Sequence, residues 1–296
     1  MRRLTHILLA LAALAAVAPA VACAGDREVP KMTTFGGSCP RCELSGRRLR
    51  GARFMAADFS GASFVGSDLR EAHFLASRFN EANLTHADLT DSQILGANFT
   101  GANLSNARLR DTQASGSVLA EANLSGADLS DSAAQAANFN EATMTNTVFH
   151  STDLTAASMN RVIARGADFR DATLRAAVLS FGRFEKASFR DAVLDAAILT
   201  NGNFEGADFH DASMRRTQIG GADLSHARGL TQDQLDEACG DSRTRLPVGM
   251  TTKGCAGLHI SMHGMHGIII PAPPAPPPPP AIPAPPRYLV DVASRP

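Results

Sequence analysis

The chain is 296 residues long, with no tryptophan, one tyrosine and 15 phenylalanines, and its formal net charge is −1. That length allows one or two domains. Near neutrality excludes general polyanion binding, which needs a strong basic excess, so no nucleic-acid partner is expected.

Residues 1–22 read as an export signal: Arg2 and Arg3 form a positive start, Ile7 to Val17 an apolar middle, and Ala20-Val21-Ala22 a small-residue cleavage site. The apolar stretch is too short to span a bilayer, so no transmembrane span is expected in the mature chain. The predicted location is periplasmic or secreted. Ala20-Val21-Ala22-Cys23 resembles a bacterial lipobox, with Ala where Leu is usual, and the resemblance implies lipidation of Cys23. Otherwise Cys23 is an unmodified first residue or is lost with the signal.

Residues 23–41 read as a linker. The cysteines Cys39, Cys42, Cys239 and Cys255 make an even set, which in an exported protein points to disulfides. Cys39-Pro40-Arg41-Cys42 has the spacing of a redox motif or half a zinc site. The redox reading needs a strand-to-helix setting and the zinc reading two further ligands, so a structural bridge is expected. Cys239 and Cys255 bracket a short segment and are expected to pair.

From Leu44 to Leu224 every fifth residue is apolar, in 37 unbroken copies. A period of five fits neither an α-helix nor a strand, so one short unit is stacked many times. The consensus is Ala-(Asp/Asn)-(Leu/Phe)-(Ser/Thr/Arg)-(Gly/Glu/Asp), as in Ala82-Asn83-Leu84-Thr85-His86 and Ala127-Asp128-Leu129-Ser130-Asp131. This resembles the pentapeptide-repeat family. The resemblance implies an all-β solenoid over 42–228, a right-handed quadrilateral β-helix of about nine coils. At about 4.8 Å per coil its length is roughly 45 Å.

Alignment at 20 residues exposes columns. Arg50, Arg70, Arg110, Arg170 and Arg190 share one corner, beside Glu71, Asp91, Asp111, Asp171 and Asp191. Adjacent columns of opposite sign compensate each other. Apolar residues also stand at the outward Asp/Asn position: Val118, Val148, Ile163, Val178, Val193 and Ile198. Val178 and Ile198 share a column and Val193 lies on the neighbouring face, which marks a candidate contact patch.

Residues 229–256 read as a cap. Thr231 to Gly240 reads as a short helix with a Thr231–Gln234 capping box and Gly240 as its stop. In the linker 257–270, His259, Met262, His263, Met265 and His266 are candidate ligands for weak transition-metal binding. Residues 271–296 are a proline-rich tail, over most of which a polyproline II spacer is predicted. With both ends disordered, the folded part is the rod and its cap.

No H-E-x-x-H, G-x-S-x-G or phosphate-binding glycine motif is present. The chain therefore reads as a non-enzyme without a cofactor. An exported scaffold binding a protein or envelope partner is the leading expectation, with a homodimer as one form. The alternatives are metal binding through the His/Met segment and a DNA-mimicking, topoisomerase-binding rod, which the family includes and the export signal opposes.

Overall fold

The computed structural model describes residues 39–255. Between residues 43 and 228 every β-bridge is parallel and joins a residue to the one 20 positions on, from Glu43↔Ser63 to Asp208↔Arg228. The five-residue phase thus folds as a solenoid with four pentapeptides per coil. Turns separate the pentapeptides, as in Arg47 N–H to Leu44 O at 3.2 Å and Ala62 N–H to Phe59 O at 2.9 Å. They give four faces. The inward columns run from Leu44 to Leu224 (face 1), Leu49 to Phe209 (face 2), Phe54 to Met214 (face 3) and Phe59 to Ile219 (face 4).

Backbone accounting explains the consensus. The central amide donates to the following coil (Leu44 N–H to Ser63 O, 2.7 Å), and the amide before a centre donates to the preceding coil (Ser63 N–H to Cys42 O, 2.8 Å). The turn residue donates to the following coil as well (Gly46 N–H to Val65 O, 2.8 Å). With the turn bond, one amide per pentapeptide is left over, just after the centre, and it needs a partner. The Asp or Asn before the centre supplies one: Asp58 Oδ1 accepts Ser60 N–H at 3.0 Å, Asn98 Oδ1 accepts Thr100 N–H at 2.9 Å, and Asp153 Oδ1 accepts Thr155 N–H at 2.9 Å. In each case the Ser or Thr hydroxyl donates to the same oxygen at 2.6 Å. The (Asp/Asn)-x-(Ser/Thr) spacing is a local cap repeated along the rod.

The centre and the residue two before it both point inward, since side chains alternate across a strand. Rings therefore stack at the coil spacing: Phe149–Phe169 at 4.9 Å, Phe169–Phe189 at 5.0 Å and Phe189–Phe209 at 5.1 Å. Such contacts add about 0.5–1.5 kcal/mol each beyond burial. Where Ser or Thr replaces the inward Ala, its hydroxyl finds a core-side carbonyl of the preceding coil. Thr147 donates to Leu124 O, Thr152 to Leu129 O and Thr217 to Leu194 O, all at 2.8 Å. Ser92 and Ser117 are buried there without a partner for the hydroxyl. Gly182 and Gly202 replace Ala because a Cβ would strike the rings of Phe184 and Phe204.

The rod is closed at both ends. Cys39 already stands in the ladder, donating to Asp58 O at 2.7 Å, inside the stretch read as linker. It occupies a central position, and its bridge to Cys42 crosses the first turn with Cα atoms 5.5 Å apart. At the other end α1 (Gln232–Glu237) covers the last coil with the buried Leu235, and the capping box of Thr231 and Gln234 forms. Gln234 Nε2 also donates to Phe209 O at 2.9 Å and Ala212 O at 2.8 Å, carbonyls at the edge of the last coil.

Gly240 does not stop the helix, contrary to the sequence expectation. The helix ends at Glu237 with Ala238 extended. The next residues rejoin the ladder, with Ile219 N–H to Cys239 O at 2.8 Å and Cys239 N–H to Thr217 O at 2.9 Å. Sheet pairing, rather than a left-handed glycine, terminates it. The cap is a modified coil: Gln218 pairs with Cys239 and Asp223 with Arg245. Cys239 is bridged to Cys255, with Cα atoms 4.8 Å apart.

Candidate interaction surface

Face 2 is densely charged, and its charges are paired; ion pairs also stand on face 1 (Arg183–Glu185), on face 3 (Arg215–Asp195) and at the corner of faces 4 and 1 (Arg161–Glu141). Arg70 grips Asp68 of the same strand at 2.7 Å, Arg170 grips Asp168 at 2.6 Å, and Arg110 reaches Asp131 of the next coil at 3.6 Å. Arg190 reaches Asp208 at 3.4 Å, and Arg50 pairs with Glu71. Hydrogen bonding from Arg70 holds the Asp68 carboxyl below the usual carboxylate range. Burial works to raise Asp168 and Asp208, but hydrogen bonds from Arg170 and His210 outweigh it and both are lowered. These carboxylates stay ionised near neutrality and their acceptor sites are engaged. That suits structure rather than general acid catalysis, which needs a pKa near the working pH. Among the described residues no group of three or more His, Cys, Asp or Glu is placed to hold a metal ion.

Face 4 is its opposite. From Asn98 to Gly220 the outward positions beside the centres are Asn98/Thr100, Val118/Ala120, Asn138/Asn140, Ser158/Asn160, Val178/Ser180, Ile198/Thr200 and Gln218/Gly220. None is charged. The corner shared with face 3 runs Gly96, Gly116, Ala136, Ala156, Ala176 and Ala196 before Arg216 ends it.

Local rules are broken together on this face. Val178 and Ile198 are bridge partners on successive coils. Neither can supply the oxygen that caps the amide two residues on, so Ser180 and Thr200 lose that bond and share a hydroxyl contact at 2.8 Å instead. At the corner beside Val178 stands Phe181, 57% exposed. Its φ is +59°, the left-handed conformation that the turn position imposes along the rod, as at Arg161 and Asn201 (both +57°); what departs at Phe181 is a large exposed ring at that position.

The column reading placed Val178 and Ile198 together. Val193 sits across the face 3–face 4 corner, beyond Asp195, and pairs with Thr173 and Ser213. Phe181 was missed because the outward reading followed the Asp/Asn position. The signal was present at the turn position, where the neighbouring coils carry Arg161 and Asn201. A second apolar column was missed for the same reason: Met55, Leu75 and Leu95 follow the centres of face 3.

The C-x-x-C pair lies on a solenoid turn, without the helix start that lowers a redox thiol. Cys23 and the segment His259, Met262, His263, Met265 and His266 lie outside the described residues, as do the export signal and the proline-rich tail.

The pentapeptide-repeat profile matches eight copies, from residues 41–74 through 187–225. The chain belongs to the pentapeptide-repeat family. Among solved pentapeptide-repeat structures, HetL from the cyanobacterium Nostoc, described as involved in heterocyst differentiation regulation, is 23% identical with a TM-score of 0.32, covering 62% of this chain and 91% of its own. QnrB1, a plasmid-mediated fluoroquinolone resistance protein, is 18% identical with a TM-score of 0.29, covering 73% of this chain and 89% of its own. A pentapeptide-repeat protein of the Arabidopsis thaliana thylakoid lumen is 26% identical with a TM-score of 0.17, covering 47% of this chain and 75% of its own. No curated protein matches the sequence significantly. What sets this pentapeptide-repeat rod apart on its own evidence is the contrast between a self-paired charged face and an uncharged one.

Proposed function

We propose that this chain is an exported, non-enzymatic interaction rod of the bacterial cell envelope, coiled right-handed in about nine turns, which binds a protein partner through face 4. One observation carries the reading: Val178 and Ile198 put apolar side chains without a capping oxygen on successive coils, and the exposed ring of Phe181 stands at the corner beside them. Departures from local consistency that gather in one place are where function is expected. Export is supported by the Arg2-Arg3 start and the Ala20-Val21-Ala22 site, and by two cysteine pairs suited to an oxidising compartment.

Fractionation of cells expressing the full chain tests the location. A cytoplasmic protein with an uncleaved N-terminus refutes the envelope reading. Recovery of the same envelope proteins by wild type and by Val178→Asp/Ile198→Asp refutes the face 4 reading.

Metal binding is the second reading, favoured by His259, Met262, His263, Met265 and His266 within eight residues. Titration of the full chain with Cu(I), Cu(II) and Ni(II) tests it, and no binding tighter than micromolar ends it. The DNA-mimic reading fares worse. Such a rod needs a one-signed field, and here arginines neutralise the aspartates of face 2.

A further inference from the structure

The net charge of −1 hides an uneven distribution. The first coil, residues 39–56, holds Arg41, Arg47, Arg48, Arg50 and Arg53 against a single acid, Glu43, a local charge of +4. Further along the rod most arginines stand with carboxylates, as Arg70, Arg110, Arg161, Arg170, Arg190 and Arg215 do. In the first coil only Arg50 does, with Glu71. Arg41, Arg47, Arg48 and Arg53 make no ion pair among the described residues, and Asp68, the ladder neighbour of Arg48, is already held by Arg70. Residues 24–38 bring no net charge, since Asp26 and Glu28 offset Arg27 and Lys31.

Placement makes these arginines a ring around the N-terminal end of the rod. Arg41 stands at the corner of faces 4 and 1, Arg48 on face 2 and Arg53 on face 3. Arg47 takes the inward position that Ala87, Ala107 and Ala127 fill on later coils, and is only partly buried there. Apolar surface lies within the same ring. Met55 follows Phe54 on face 3 and is 51% exposed, with Leu75 behind it on the next coil. Leu44 and Ala52 are only partly buried, although their counterparts one coil on, Phe64 and Ala72, are fully enclosed.

We infer that this end of the rod docks end-on to an anionic phospholipid bilayer, with the arginines on lipid phosphates and Met55 among the upper acyl chains. The site is separate from face 4, and the choice of a bilayer as its occupant rests on the envelope reading. A guanidinium presents paired donors that match a phosphate, and clusters of four or more basic residues are drawn to anionic leaflets. A soluble polyanion would satisfy the arginines but leave Met55 and Ala52 in water. A bilayer takes both, because arginine stems lie along apolar surface while their heads stay at the interface. The end-on approach follows from the second coil, residues 57–76, where Asp58, Asp68 and Glu71 outnumber Arg70. Laying the rod flat would bring those carboxylates to the lipid phosphates as well.

Flotation of the full chain with phosphatidylcholine vesicles, with and without about one-third phosphatidylglycerol, tests this. The expected result is binding that rises with phosphatidylglycerol and falls roughly 25-fold in Arg48→Gln/Arg53→Gln, because each arginine near an anionic surface contributes about fivefold in affinity. Both side chains are exposed, so the melting midpoint should stay within a few degrees. Arg175→Gln/Arg216→Gln, the same loss of charge from exposed arginines far along the rod, should change nothing. Residues 1–22 are common to all variants, so they cancel in the comparison. Salt at about 0.5 M should abolish the arginine effect, whereas Met55→Ser should weaken binding severalfold with or without it. Equal binding by wild type and Arg48→Gln/Arg53→Gln overturns the inference, as does an equal loss in Arg175→Gln/Arg216→Gln. Retention on heparin that depends on Arg48 and Arg53, without phosphatidylglycerol-dependent vesicle binding, overturns it in favour of a soluble polyanion. Cell fractionation and partner recovery by face 4 variants are read separately, so failure of the envelope or face 4 reading is distinguishable from failure here.

Discussion

Replacing Val178 by Asp puts a charge where a half-buried aliphatic stands, and ordinary reasoning expects damage. The structure predicts otherwise for the isolated rod. Full burial of a valine is worth about 1.5–3 kcal/mol, and Val178 is only partly covered, so its loss costs about 1 kcal/mol. Against that, the new carboxylate would precede Leu179 and Ser180 as Asp128 precedes Leu129 and Ser130, where Oδ1 accepts Ser130 N–H at 3.0 Å. A hydrogen bond to a charged acceptor contributes about 1.5–3 kcal/mol when made. The ladder neighbours of this position, Ser158 and Ile198, bring no like charge. The net effect on the monomer is a gain of about 0.5–2 kcal/mol, read by urea unfolding with circular dichroism at submicromolar protein. The sign of the pH effect follows from the cap. A bonded carboxylate has a folded pKa below its unfolded value, so its contribution is present above about pH 4 and fades as pH falls through the folded pKa. Val178→Asn, which does not titrate, should keep its own smaller gain in acid. A loss of more than 2 kcal/mol in Val178→Asp at pH 7 would refute the cap argument and make Val178 a packing residue.

Acid should weaken the whole rod. Hydrogen bonding from Arg243 holds Asp241 at about 2, and Asp68, Asp153, Asp168, Asp195, Asp208 and Asp223 are also lowered. Stability should therefore be flat above about pH 4–5 and fall towards pH 2. Arg243→Ala should remove part of that fall, which thermal melts across pH 2–6 will show. The inward hydroxyls should divide by partner: Thr147→Val should cost about 0.5–1.5 kcal/mol, because Leu124 O loses one of its two donors and keeps only the turn amide of Ala127, whereas Ser117→Ala should be neutral or stabilising. Equal losses in chemical denaturation would show that packing alone decides. Gln234→Ala removes a capping-box acceptor and two bonds to the last coil, so amide exchange should quicken over 209–238 while residues 60–180 keep their protection. Unchanged exchange there would show that Leu235 and the rest of the cap suffice.

The architecture was legible because the phase of five leaves no alternative that buries every central Leu or Phe, and the shift to 20 sorts those centres into columns that the ladder reproduces. The reason for the Asp/Asn position was not legible. Sequence alone showed a polar, turn-compatible residue facing water, while the structure shows that wherever Asp or Asn stands there it caps the amide two residues on. That difference changes what the exceptions mean. Val178 read as an apolar residue on a polar surface is drift or a patch; read as a missing cap, it has a cost that something must offset. Gly240 was misread because a glycine after a helix usually marks a left-handed stop, and tertiary pairing of Cys239 with Gln218 overrode that local habit. Phe181 escaped because the outward residues were followed at the Asp/Asn position, whereas it stands at the turn position between Arg161 and Asn201.

The two faces differ in what a partner would have to displace. Covering face 2 means desolvating Asp68 with Arg70, Asp168 with Arg170 and Asp208 with Arg190, pairs that already satisfy one another and gain little from a newcomer. Removing water from an ion pair costs several kcal/mol per ion unless the new geometry returns it. Covering face 4 displaces water from amides, hydroxyls, Val178, Ile198 and the ring of Phe181, none of which carries charge. The hydrophobic return is modest per residue, about 25 cal/mol per Å². It is not cancelled by ion desolvation, and the missing caps at Ser180 and Thr200 give a partner amides that the rod itself does not cap. A surface that is easily dried, flat along its corner and short of two acceptors is the one on which this rod can afford a stable contact.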